Sequence, residues 1–277
     1  MRLLFCGVRG STPAPGPEFV RIGGNTSCVA LAHDGAPWSL VLDAGTGLRR
    51  LTDHLDGGPF TGTLLLTHLH WDHLQGLPFF SAGDRDDAHV RVLLPDQGGP
   101  ASAADVLARG MSPPHFPIGP DGLRGDWRFD SMASGPHRLE GFDVVAADVP
   151  HKGGRTFGFR VSDATGSIAY VPDHLPARDT SPDVARLLEG VDLLVHDAQF
   201  LSHEQAVADE YGHATVDDAL RLAIAAGART LALFHHAPAR TDDDVEAIGR
   251  AAAGSGIEIV VAREGDIVEL SRGTGVR

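Results

Sequence analysis

Cysteine is nearly absent: Cys6 and Cys28 are the only two among 277 residues. Two cysteines cannot build a disulfide framework, and their spacing fits no zinc-finger pattern. Buried free thiols in a reducing compartment are the expected state, because a chain this long can bury a sizeable core. Long apolar runs are missing as well. Nothing approaches the roughly eighteen residues of a membrane-spanning helix, and the opening MRLLFCGVRGSTP lacks the apolar stretch of a secretory leader. The expectation is a cytoplasmic protein with no membrane partner. Basic residues are scarce and scattered: 23 Lys and Arg stand against 37 Asp and Glu, giving a net charge of −14. Such a field repels a polyanion. The expected partner is therefore a small-molecule substrate and no long nucleic acid, with a homodimer left open. Repeats and low-complexity linkers are also absent, which leaves residues 1–277 as one domain of two βα halves meeting near residue 140.

What is present is a series of short apolar runs, each bounded by Gly, Pro, Asp or Ser. They cover 3–5, 28–31, 40–42, 64–66 and 90–94, then 144–145, 157–161, 168–171, 193–195, 231–234 and 257–261. Runs of this length and punctuation read as strands. Residues 215–227, TVDDALRLAIAAG, place Val216, Ala219, Leu220, Ala223 and Ile224 on one helical stripe, with Thr215 as N-cap and Gly227 as the stop. Thr241 opens a second helix whose first turn carries Asp242, Asp243 and Asp244. Strands alternating with helices predict an α/β chain with mixed sheets. Residues 110–125, with prolines at 113, 114, 117 and 120, form a long loop or short-helix insertion that covers a site or simply lies on the surface.

The strongest chemical signal is Thr67-His68-Leu69-His70-Trp71-Asp72-His73, directly after the run ending at Leu66. In an extended segment, positions two apart point the same way, so His68 and His70 can grip one cation. A turn just beyond lets Asp72 and His73 face a second. Imidazole and carboxylate suit zinc, with manganese or iron as alternatives.

His-x-His-x-Asp-His after a strand resembles the signature of the metallo-β-lactamase superfamily. From about residue 2 to residue 250 the chain is similar to that superfamily's ribonuclease Z and PhnP-like phosphodiesterase branch, including the glycine-rich segments around Gly7, Gly10, Gly23 and Gly24. The resemblance implies an αββα sandwich, two mixed sheets flanked by helices. It also implies two divalent ions, zinc first among the candidates. One would be held by His68, His70 and His151, the other by Asp72, His73 and His235, with Asp173 bridging. Distance from the preceding helix favours His235 over its neighbour His236, which stays open. Asp43 in LDAGTG would support the ligand loop. Where the family often has Gly-Asp-Thr, this chain has Pro172-Asp173-His174, and His174 has no assigned role.

The segment His196-Asp197-Ala198-Gln199-Phe200, followed by Gly212-His213-Ala214-Thr215 at a helix start, resembles paired segments of the same branch. His213 is the implied acid or anion contact, and Asp72 the implied partner of the attacking water. The implied chemistry is hydrolysis of a small, even cyclic, phosphodiester by a hydroxide bridging the ions. Same-fold hydrolysis of a lactone, thioester or lactam is the alternative, and a metal-stabilised binding module without catalysis is another. The tRNA-gripping arm usual between the third histidine and the bridging aspartate has no room in residues 152–172, so tRNA is not expected.

Overall fold

A computed structural model describes residues 1–176, 180–271 and 275–276. Each of the short apolar runs becomes a strand. In chain order they are β1 (Arg2–Gly7), β2 (Cys28–Ala32), β3 (Leu40–Leu42), β4 (Thr61–Leu65), β5 (His89–Pro95), β6 (Asp126–Met132), β7 (Gly135–Leu139) and β8 (Phe142–Asp148). Then follow β9 (Phe157–Ser162), β10 (Ser167–Val171), β11 (Leu193–Asp197), β12 (Thr230–Phe234), β13 (Glu258–Val261), β14 (Ile267–Ser271) and β15 (Gly275–Val276). Helices are α1 (Leu48–Leu51), α2 (Trp71–Leu74), α3 (Ala103–Ala108), α4 (Pro182–Leu188), α5 (Gln205–Tyr211), α6 (Val216–Ala226) and α7 (Asp242–Ala252).

The strands form two sheets, ordered β15-β14-β1-β2-β3-β4-β5-β6 and β13-β12-β11-β10-β9-β8-β7. Both are mixed: β3 to β6 run parallel, as do β10 to β13, while the remaining neighbours are antiparallel. Between the sheets lies a core that includes Phe5, Leu42, Phe142, Phe157, Phe159, Tyr170 and Phe234. A second apolar layer packs Leu48, Leu51 and Leu107 on the outer face of the first sheet, and a third packs Leu187, Ala219 and Leu222 on the outer face of the second. The architecture is αββα, with apolar surface buried at three interfaces.

Thr215 and Thr241 cap α6 and α7 with reciprocal side-chain bonds to Asp218 and Asp244, and Gly227 closes α6 at φ 66°. The buried stripe of α6 is Val216, Ala219, Leu222 and Ala223. Ile224, expected on that stripe, is exposed, because the helix is rotated toward Leu222. Strands β6, β7, β14 and β15 carry no long apolar run and were not foreseen. Three of them lie at sheet ends, where charged residues face water and the apolar signal is weak. The first sheet ends with β6, and β7 turns back onto β8 in the second. Cys6 and Cys28 are buried free thiols. Among the described residues no helix is long and apolar enough to cross a membrane.

Candidate metal centre

The polar residues of interest gather at the carboxyl ends of strands from both sheets, where an open α/β fold leaves room for a ligand. After β4 the chain runs extended through His68 to His70 (φ −69°, ψ 151°), and α2 then turns Asp72 and His73 inward. Asp43, just after β3, adopts φ 60° and holds this run together. Its carboxylate accepts the Thr67 amide at 2.7 Å, the His73 Nδ1–H at 2.8 Å and the Tyr170 hydroxyl at 3.0 Å. Asp173 follows β10, and His235 follows β12 with φ 56°. Gly10 is required beside it, because a Cβ there would collide with the His235 ring.

The rings of His68, His73, His151 and His235 are each turned by a partner on the far nitrogen, Thr67 Oγ1 and Asp43 Oδ2 for the first two, which fixes the tautomer. His151 donates from Nδ1 to the Gly212 carbonyl at 2.7 Å, and His235 from Nδ1 to Gln199 Oε1 at 3.0 Å. The Gln199 amide in turn donates to Ser11 Oγ at 3.0 Å. Inward-facing atoms are left over. His68 Nε2, His73 Nε2 and Asp173 Oδ1 are buried with no hydrogen-bond partner, a costly state unless something binds them. His151 Nε2 faces His70 Nδ1 at 3.3 Å, and His235 Nε2 lies 3.2 Å from both Asp72 Oδ2 and Asp173 Oδ1.

Three sets of donors lie within 4.8 Å of one another: His68, His70, His151 and Asp173; Asp72, His73 and His235; and Asp173, His213 and His235. Convergent imidazoles and carboxylates with orphaned lone pairs fit divalent cations of the zinc type. His236 is not among them. It bonds the Ala262 carbonyl at 3.0 Å, on the other side of the chain. Burial opposes charge on Asp72 and Asp173, yet the facing histidines, His73 and His235 among them, hold both carboxyls below the usual range.

His213 Nδ1 lies 2.9 Å from Asp197 Oδ2 and 3.9 Å from Asp173 Oδ2. Burial by itself would lower its pKa, but the carboxylates of Asp197, Asp173 and Asp72 outweigh burial and push it up to about 9. Asp197 and Gln199 had no role in the reading of the sequence. The signal was there in Asp197, which ends β11 in HDAQ as Asp43 follows β3 in LDAG. His174 points away from the ligands: its ring meets His196 at 3.0 Å and its amide bonds Asp197. Residues His70, Asp72, Asp173 and His213, with Tyr211, line a cavity of about 440 Å³. The 110–125 loop contributes His115 to a neighbouring cavity beside His68, so it walls the approach instead of roofing the centre. Residues 152–172 hold only the β9–β10 hairpin, with no arm.

The profile of the β-lactamase superfamily domain matches residues 39–236. The chain belongs to that superfamily. A ribonuclease Z of Natronomonas pharaonis is 26% identical, with 98% of each chain covered. Human tRNase Z, short form, superposes with a TM-score of 0.67 at 21% identity, covering 98% of this chain and 99% of that one. A diphosphatase of the PhnP family gives 0.68 at 18% identity, covering 100% and 99%. The chain is a metal-dependent hydrolase of the ribonuclease Z and PhnP-like branch, with the αββα fold.

One expectation is overturned. A small-molecule substrate with no long nucleic acid does not stand against relatives named ribonuclease Z and tRNase Z. The physical error lay in treating net charge as uniform. Arg124, Arg128 and Arg138, scattered in sequence, are each spent on an acidic neighbour. Arg109 and Lys152, by contrast, are exposed near the centre with no ion-pair partner among the described residues. A local field at the mouth counts for more than the sum over a surface, since screening cuts distant charges within about 10 Å.

Proposed function

We propose that this chain is a binuclear metal-dependent phosphodiesterase that hydrolyses phosphodiester bonds in RNA. One ion is assigned to His68, His70 and His151, the other to Asp72, His73 and His235, with Asp173 shared and zinc as the expected metal. Bound there, the ions supply an activated water and offset negative charge on the phosphoryl oxygens. The chain's own groups do the rest. The Asp72 carboxylate, fixed by the Ser11 amide at 2.7 Å, orients the attacking water. His213 stays protonated beside Asp197 and donates its proton to the leaving alkoxide. Asp197 is a positioning residue: it aims the ring and keeps it charged.

The observation that carries this reading is His213, held by Asp197 at 2.9 Å in the wall of the cavity that His70, His151, Asp72 and Asp173 also line. A proton donor held beside two cations suits a reacting group that itself carries negative charge, as a diester's does and the neutral carbonyl of a lactam or thioester does not. Metal-replete protein incubated with labelled precursor tRNA, unstructured RNA, a lactam and a thioester tests it. Chelator-sensitive cleavage of the RNAs is expected, with about two ions per chain by elemental analysis. Turnover of the lactam or thioester with the RNAs left intact would reverse the assignment.

A further inference from the structure

We propose that Trp71 is a stacking platform for the base of the nucleotide beside the scissile phosphate, an inference that rests on the RNA phosphodiesterase reading above. Trp71 stands between His70 and Asp72 and opens α2, yet its side chain is 75% exposed. Asp72 and His73 are buried in the centre, so the indole is what this segment presents at the rim. It separates two cavities. One, of about 630 Å³, is lined by His68, Arg109 and Arg155 and so borders the centre at His68. The other, of about 370 Å³, is lined by Leu74, Phe79, Met111 and Phe116 and is apolar.

A nucleic-acid strand brings a flat apolar face and an anion with each nucleotide. An indole with a cation beside it matches that repeat, and stacking works with any base because every base has a π-face. Arg155 is committed to Asp148, at 2.6 Å. Arg109 has no ion-pair partner among the described residues, so it is the group available to the phosphate on this side. The demand for such a grip follows from the chain itself. With only a hairpin in residues 152–172, contacts to the strand must come from the rim of the centre. Scattered exposed tryptophans are ordinary on protein surfaces. This one sits inside the ligand-bearing run, with a cavity on either side.

The test measures binding of a hydrolysis-resistant phosphorothioate oligoadenylate and of an abasic strand of equal length to the zinc-replete protein, by fluorescence anisotropy. Wild type should bind the strand with bases roughly 10–100-fold more tightly than the abasic one. Trp71→Ala should lose that preference, Trp71→Phe should keep part of it, and both should melt near the wild-type temperature because the side chain is exposed. Arg109→Ala should weaken both strands alike and flatten the salt dependence by about one counterion. Equal preference for bases in wild type and Trp71→Ala overturns the platform. Cleavage of an ordinary RNA strand by wild type, assayed alongside, separates the two ideas. If RNA is cut and Trp71→Ala binds as wild type does, only the platform fails. If no strand is cut, the parent reading fails and takes the platform with it.

Discussion

Asp197 accepts four donors through its two oxygens: the amides of His174, Gln199 and Ala214, and the His213 ring. A carboxylate so satisfied stays ionised in a buried place, and that charge is what keeps His213 protonated. His213→Ala should keep its metals and lose roughly 10²–10⁴-fold in kcat, the range of a general acid. Asp173→Ala should instead lose metal together with activity, and elemental analysis distinguishes the two outcomes. An acid works only below its pKa, and Asp197 raises that pKa. Asp197→Asn should therefore move the alkaline limb of the kcat profile to lower pH, while a limb that stays in place would remove His213 from the role of acid.

At the scale of elements, the centre depends on how short segments stop. Gly153 has φ 87°, and a Cβ on it would lie 2.6 Å from His70 Nε2. Gly153→Ala should strain the loop and push His70 aside, seen as weaker zinc retention against a chelator while Gly35→Ala, at an open turn of φ 68°, leaves retention alone. Thr215 caps α6, and the bridge from Phe200 to Thr215 ties the His213 segment to the strand end that carries Asp197. Loss of the cap in Thr215→Ala should cost about 1 kcal/mol, a fall of about 2–4 °C in Tm for a domain of this size. Caps were legible in the sequence because Thr-x-x-Asp bonds are local. The rotation of α6 that exposes Ile224 was not, because it depends on what Leu222 meets in the second sheet's outer layer.

For the molecule as a whole, acidity and metal content set stability. Burial pushes the His174 and His236 pKa values down to about 3, with His196 and Arg9 respectively adding to the shift. Both rings are neutral in the fold down to that pH, while the unfolded chain protonates them near 6.5. Stability is thus unaffected by them above 6.5, and falls as pH drops from 6.5 toward 3 by about 1.4 kcal/mol per pH unit for each ring. Urea melts at pH 7, 6 and 5 should show this decline, shallower in His236→Phe. Removing metal leaves a buried cluster of carboxylates and orphaned nitrogens uncompensated, so chelated protein should melt several degrees lower and recover on zinc addition. An unchanged Tm after verified metal loss would count against the donor sets as a built site.

The sequence alone determined what is local or periodic. Apolar runs placed the inner strands, threonine caps placed α6 and α7, and the spacing of His68, His70, Asp72 and His73 pointed to a metal run, because strand and turn geometry project ligands within a few residues. The tertiary structure decided everything that needs distant segments to meet. It turned the His235 ring toward Asp72 and Asp173, at a φ of 56° after β12, and the His236 ring toward the Ala262 carbonyl. It brought Asp197 from β11 to His213, and Gln199 to His235. It also showed where charge resides: a sum of −14 is fixed by composition, but among the described residues pairing on the folded surface left Arg109 and Lys152 unpaired near the centre. Composition adds charges without regard to place, and only the fold gives each charge its neighbours.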